Sequence, residues 1–471
     1  MNIGKGERVA STDDFGDAAT EVEQRQKITL NRRRFVLSAL ALLADGASSW
    51  EGRAQRMQTA NLYGSEDLQT VDLERFAKGG APVDWFGEDW NFTADSFALP
   101  PAALAAIDAS LETLASLQNP DGSFGSASEL FGRDPGVAGL CGLAFLASGS
   151  APGRGRFGSE LDKIVGYILS RSYNAKNKTD GALERSALNY LKENDLTEND
   201  VDGLIANFSE KGGKPTYGHG FATLFLAVVL GMSERSEIRE RTRAAVELIV
   251  RVQNSEGGWR YKPKREPVAD VSVTVCLLSA LRAARDAGIF APNATIEKAV
   301  AYVESLQNAD GGFRYMTLGG PSGIARTAAA ILALQAGGAD DSEAVAAAFR
   351  FLEKSSPLAA PRTVSRLTTN SSKGEAEAAK LASDEIPRLP TTRIEYYFYG
   401  EFYAALAYWR GACDAASKER WARWARRAYP NLLSRRGDDG LWRSNISTEA
   451  ETAFVLCALL TPFERAPFFL R

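Results

Sequence analysis

A single histidine, His219, stands among the 471 residues, and its scarcity sets the first limits on chemistry. Histidine-rich metal sites are excluded, because they draw on several imidazoles. A Ser-His-Asp arrangement has one centre on which it can be built. The four cysteines, Cys141, Cys276, Cys413 and Cys457, each lie in an apolar, alanine-rich stretch and form no Cys-x-x-Cys pair. They read as small core residues rather than metal ligands or disulfide partners. No resident metal or cofactor is therefore expected. A basic run, Lys262, Lys264 and Arg265, reads first as a solvated loop and second as a set of phosphate contacts.

The chain is 45% apolar and 24% charged, with a formal net charge of −4. This is the composition of a globular protein, and no basic surface argues for nucleic acid. No apolar run reaches the roughly 18 residues a membrane span needs. Residues 1–28 are polar and acid-rich, a composition expected to stay disordered. Asn31-Arg32-Arg33-Arg34-Phe35-Val36 then leads into the apolar run Phe35–Ala44, which looks like a twin-arginine export signal. Ala44-Asp45-Gly46 and Gly52-Arg53-Ala54 are its candidate cleavage regions. Export to the periplasm or cell envelope is the expectation, a cytoplasmic protein with a basic first helix the alternative. The chain divides on this reading into a polar leader at 1–54, a lead-in at 55–96 and a repeat domain at 97–471.

The elements that must position any site come from a repeat. Gln118-Asn-Pro-Asp121-Gly122-Ser-Phe124, Gln253-Asn-Ser-Glu256-Gly257-Gly-Trp259 and Gln307-Asn-Ala-Asp310-Gly311-Gly-Phe313 read alike. Arg436-Gly-Asp-Asp439-Gly440-Leu-Trp442 is a fourth copy with Arg in place of Gln, and Asp202-Gly203 is a shorter echo. The acid-Gly position recurs at 202, 256 and 310, a period of 54, which is the mark of a repeat architecture. Each motif follows an amphipathic stretch with helical spacing, as in Ser236–Val252 and Ile296–Leu306. Each precedes a stretch apolar nearly all round: Val137–Ala147, Phe221–Leu230, Ser272–Ala284, Thr327–Ala336, Phe402–Trp409 and Glu449–Leu460. A helix of that second kind must be buried on every side. Six pairs of one half-exposed and one buried helix close most naturally into an all-α double ring, an (α/α)6 toroid. The Asp-Gly turn ends each outer helix and the Gln bonds between units. Tyr173–Val201 and Leu358–Arg393 read as insertions at one rim.

The Gln-x-x-x-Gly-x-Trp/Phe pattern resembles the QW repeat of squalene and oxidosqualene cyclases and of protein prenyltransferase β subunits, from about Phe97 to Arg471. Tyr217–Leu226 and the ending Ala466–Arg471 resemble a bacterial, mostly planctomycete-type branch of prenyltransferase and squalene-oxidase repeat proteins. The resemblance implies an α/α toroid with an apolar central cavity and isoprenoid ligands. Squalene-type cyclases protonate an alkene with the middle Asp of Asp-x-Asp-Asp-Thr. Here the matching stretch is Asp270-Val271-Ser272-Val273-Thr274, so Ser272 stands where the acid would be. In the prenyltransferase register Asp270 matches a zinc-ligating Asp, Ser272 replaces the Cys ligand, and no histidine stands near Tyr399-Gly400-Glu401. His219-Gly220-Phe221-Ala222-Thr223 matches the context of a diphosphate-contacting His.

The resemblance thus implies a cluster of His219, Asp270 and Glu401 as candidate catalytic groups. Tyr217, Arg326, Tyr399, Phe402 and Tyr403 are the binding residues, with Trp409 on the same inner wall. All but Trp409 are placed near inner-helix starts and expected to converge on one mouth of the ring. The bland reading makes Asp270 a helix N-cap and Arg326–Glu401 a buried ion pair. The expected partner is an isoprenoid or other apolar small molecule, with association at a membrane surface allowed. A non-catalytic exported binding or scaffold ring is the second reading. A carbohydrate-active toroid with Asp270 and Glu401 as opposed carboxylates is the third.

Overall fold

The computed structural model describes residues 83–93, 96–127, 129, 131–175, 181–208, 214–355, 396–444, 446–465 and 468, all within the unit Gln69–Arg471. The leader at 1–54, the insertion at Leu358–Arg393 and most of the ending Ala466–Arg471 lie outside these residues.

Two kinds of helix alternate, as the hydrophobic pattern requires. Pro101–Ser116 (α1), Gly158–Ser170 (α3), Glu237–Val252 (α7), Asn293–Ser305 (α9), Glu343–Ser355 (α11) and Ala415–Leu433 (α13) each bury one face. Pro135–Ala147 (α2), Pro215–Val229 (α6), Val271–Asp286 (α8), Ile324–Ala336 (α10), Tyr397–Arg410 (α12) and Thr448–Leu460 (α14) are buried nearly all round. The second set forms a closed inner ring, α2 on α6, then α8, α10, α12, α14 and back to α2. The first set packs outside it. Within the insertion at 173–201 lie Gly181–Asn194 (α4) and Glu198–Val201 (α5). A two-stranded hairpin, Asn91–Phe92 (β1) against Phe97–Ala98 (β2), sits on α13, where Phe92 meets Trp421 and Tyr429 edge-on.

The repeat motif holds the rings together. Gln253 Nε2 donates to the Gly257 carbonyl of its own turn at 2.7 Å and to the Thr295 carbonyl of the next outer helix at 2.8 Å. Gln307 does the same with Gly311 and Ala344, and Gln118 with Gly122 and Glu160. Arg436, in the fourth copy, instead donates from Nε to Ser110 Oγ of α1 at 2.8 Å, so the substitution falls where the last unit meets the first. The turn glycine is demanded twice over: Gly257 has φ +92°, and a Cβ there would lie 2.3 Å from the Lys298 carbonyl oxygen. The following aromatic is buried, with Trp259 Nε1 donating to the Ile249 carbonyl and Trp442 Nε1 to that of Leu432. Its backbone N–H donates to a threonine in the first turn of the inner helix: Trp259 to Thr274, Phe313 to Thr327, Trp442 to Thr452. Thr274 is thereby part of the scaffold.

Candidate functional site at the mouth of the inner ring

The two long connections, α3 to α6 and α11 to α12, both lead from an outer helix to the start of an inner one, and so enter one rim. At that rim the inner helices keep some exposure: Tyr217, Ser272, Ile324–Arg326 and Thr448–Glu449 are part-accessible, whereas the middle of every inner helix is buried. Accessible surface on the ring's inner layer is thus concentrated in first turns and at a few C-terminal residues.

Helix register decides what faces that mouth. Tyr217, Arg326 and Tyr399 are each the third residue of their helix, and His219 and Glu401 each the fifth. Two residues on an α-helix are roughly 200° apart, so the two sets face opposite ways. Tyr217 and Tyr399 belong to helices on opposite sides of the ring and come near enough across it to perturb each other, although the buried Tyr399 hydroxyl makes no hydrogen bond. One turn further, Phe221 and Tyr403 continue the same faces. Phe454 of α14 completes the cluster, with ring centroids 5.8 Å from Tyr399, 5.9 Å from Phe221 and 5.1 Å from Phe402. Tyr399 and Tyr403 pack at 4.7 Å. Burial first, and then the closeness of these hydroxyls and of the Cys276 thiol, pushes Tyr217 and Tyr403 far above the ordinary phenol range. The expected central cavity is therefore, in the described residues, a mouth with an aromatic floor: side chains from opposite helices bridge the ring centre. Trp409 lies away from it, near the end of α12, packed on Trp421.

His219 and Glu401 are turned to the outer layer and do not join this cluster. The His219 ring accepts the Ile205 N–H at Nδ1 (3.1 Å), and its Nε2 lies 3.3 Å from the Ala245 carbonyl, which it meets as donor in that tautomer. Both nitrogens are consumed by backbone, and burial pushes the imidazole down to about 4. Glu401 accepts the Trp424 indole N–H at 3.2 Å on α13, and burial pushes its carboxyl up to about 7. Arg326 donates to the Pro321 carbonyl at 3.0 Å, and no ion pair joins it to Glu401 among the described residues. The opposed pair Asp270 and Glu401 needed for a glycoside-hydrolase geometry is absent for the same reason of register.

Asp270 is the N-cap of α8: Oδ1 accepts from Val273 N–H at 3.0 Å and from Ser272 Oγ at 2.7 Å. Its Oδ2 is buried without a hydrogen-bond partner. Burial raises this carboxyl, against the pull of those two donors, the Tyr315 hydroxyl and the Arg260 guanidinium. Ser272, part-accessible beside it, offers only a hydroxyl. Two neighbours escaped the sequence reading. Tyr261 and Tyr315 join hydroxyl to hydroxyl beside Asp270. They stand 54 residues apart, in Trp259-Arg-Tyr261 and Phe313-Arg-Tyr315, so the repeat period itself was the signal. Asp134, the N-cap of α2, was also missed; its carboxylate presses on the backbone of α6 at Gly218. Among the described residues no group of His, Cys, Asp and Glu could hold a metal ion.

Residues 208–360 match the family model for the squalene-hopene cyclase C-terminal domain. A drimenyl diphosphate synthase from Streptomyces showdoensis is 24% identical over 241 residues, which are 46% of this chain and 43% of that enzyme. The chain thus spans under half the length of that relative. Among solved structures, the type II terpene cyclase MstE from Scytonema, in complex with geranylgeranyl dihydroxybenzoate, aligns over 76% of this chain and 96% of its own at 15% identity and TM-score 0.44. An α-1,6-mannanase from Salegentibacter sp. HEL1_6 aligns over 75% and 98% at 11% identity and TM-score 0.47. Residues 208–360 are thus similar to the squalene-hopene cyclase C-terminal domain, within a chain whose described helices close into an α/α double ring.

Proposed function

We propose that this toroid binds an isoprenoid at the mouth formed by the first turns of its inner helices, and that binding, not proton-initiated cyclisation, is its activity. The observation that carries the reading is the aromatic cluster of Tyr217, Tyr399, Tyr403, Phe402 and Phe454 lying directly beneath the accessible first turns. Aromatic faces suit an unsaturated hydrocarbon chain, which offers apolar area and no hydrogen bonds. The similarity to a drimenyl diphosphate synthase supports the same ligand class. Against catalysis stands Ser272: a serine hydroxyl is far too weak an acid to protonate an alkene.

The test is a solvent extract of the purified full-length chain, analysed by mass spectrometry, together with binding and turnover of farnesyl diphosphate, geranylgeranyl diphosphate and squalene. A polyprenyl compound in the extract, saturable binding weakened about tenfold by Tyr217→Ala, and no cyclised product are expected. A cyclised product overturns the binding-only reading. A clean extract with no saturable binding leaves a scaffold ring. We further infer that residues 1–54 direct twin-arginine export. Fused to a reporter, they should carry it out of the cytoplasm, and replacing Arg32–Arg34 by lysines should abolish this.

A further inference from the structure

We propose that the ligand held at this mouth is an isoprenoid alcohol, whose hydroxyl donates to Asp270 Oδ2 and accepts from the Tyr399 hydroxyl. The proposal names the ligand class of the binding reading above and rests on that reading. Asp270 is fully buried and Tyr399 only 6% exposed. Among the described residues neither Asp270 Oδ2 nor the Tyr399 hydroxyl has a hydrogen-bond partner. Leaving a buried polar atom unpaired is costly, so each of the two requires a guest.

The two atoms belong to one place. Asp270 caps α8 and Tyr399 stands in the first turn of α12, with α10 between them in the ring. Burial first raises the Tyr399 phenol, the nearby Tyr217 hydroxyl lowers it, and the Cys276 thiol and the Asp270 carboxylate raise it further. The carboxylate thus acts on that hydroxyl beside the aromatic floor. Asp270 Oδ1 is already spent on the Val273 N–H and the Ser272 hydroxyl, which fix the carboxylate and leave Oδ2 to accept. The pair is also complementary: a carboxylate oxygen accepts, and a phenol can donate.

That complementarity narrows the ligand. A hydroxyl donates and accepts at once, and so satisfies both atoms; a hydrocarbon satisfies neither. An ether oxygen accepts from Tyr399 but offers Asp270 no proton, and an ammonium does the reverse. A diphosphate brings negative charge against the Asp270 carboxylate. Asp134 at the start of α2 and Glu449 in the first turn of α14 add to that repulsion. Arg326, on the first turn of α10, is turned back onto the Pro321 carbonyl. The prenyl chain of the alcohol then lies against Tyr217, Phe221, Tyr403 and Phe454.

The experiment compares equilibrium binding of farnesol, farnesyl methyl ether, farnesylamine, farnesene and farnesyl diphosphate to the purified full-length chain. Farnesol should bind tightest, about tenfold or more ahead of the ether. Asp270→Asn keeps an oxygen to cap α8 but turns the second oxygen into a donor. It should weaken farnesol about thirtyfold and cut the lead over the ether to about twofold. Tyr399→Phe keeps the ring and should weaken farnesol about fivefold. Thermal unfolding reads the folding of each variant, and the farnesol-to-ether ratio within one protein is independent of the folded fraction. Equal affinity for farnesol, the ether and farnesene overturns the proposal, leaves isoprenoid binding standing and assigns the two atoms to ordered water. A lead over the ether undiminished in both variants overturns it as well, as does tightest binding of the amine or the diphosphate. Binding of none of the five overturns the isoprenoid reading itself, and the proposal with it.

Discussion

The outward and mouth-facing sides of the inner helices handle polar side chains in opposite ways. Facing outward, His219 and Glu401 are buried, bonded to the outer layer, and titrate far from their ordinary values. Facing the mouth, Ser272 and Arg326 keep partial exposure, and Tyr217 and Tyr399 present aromatic surface. The difference teaches that a perturbed ionisable group does not by itself mark the site in this ring, since the outward His219 and Glu401 are shifted just as the mouth-facing Tyr217 and Tyr403 are. A pKa far from normal is a candidate for function only when the group also faces a ligand.

Substitutions should separate the two sides. His219→Ala leaves the Ile205 N–H unpaired and opens a cavity, and should cost about 3 kcal/mol in chemical denaturation. Ligand affinity of the folded fraction should not change; if it does, His219 is part of the site and the comparison breaks.

The second test uses pH. Folded Glu401 titrates at about 7 against an ordinary 4.5, so between those values the folded chain holds a proton that the unfolded chain has released. Stability from this group is full below pH 4.5 and falls as pH rises to 7. Folded His219 titrates at about 4 against 6.5, so in that window the unfolded chain binds the extra proton and stability rises with pH. Each effect is on the order of 3 kcal/mol. The two oppose, and the parent should show a nearly level profile between pH 4.5 and 6.5. Glu401→Gln should expose the rising slope, and His219→Gln the falling one, in unfolding measured across that range.

Arg436→Ala removes the side-chain bond from the last repeat to α1 and should cost about 1–2 kcal/mol, read as a lowered denaturation midpoint. Arg436→Gln, restoring the residue of the other copies, tests whether the longer reach is needed at the closure. Smallest of all, Ser272→Ala should change stability by about 0.5 kcal/mol or less, because Asp270 Oδ1 keeps the Val273 N–H.

The ring was legible in the sequence because its signals are local and repeated. A turn glycine at Gly257 must be glycine whatever surrounds it, and helices such as Thr327–Ala336 carry no polar face to expose. Even the two-sided bond of Gln253 follows from a polar residue fixed beside every turn. The candidate site was only half legible. Tyr217, Tyr399, Phe402 and Tyr403 do come together, but His219 and Glu401 do not, because a sequence neighbour two positions along a helix points away. Knowing the true first residues, Pro215 and Tyr397, would have separated them. The apolar pattern begins later, at Phe221 and Phe402, and hid those starts. The cross-ring meeting of Tyr217 with Phe454's cluster lies beyond any local signal, since it joins helices more than two hundred residues apart.

Photo-crosslinking tests the central claim most directly. A farnesyl analogue with a benzophenone on its tail, irradiated with the full-length chain and mapped by peptide mass spectrometry, should label the first turns of the inner helices at Tyr217, Ser272 or Arg326. Labelling that falls instead between the layers, on Ala245 or Trp424 beside His219 and Glu401, would contradict the account.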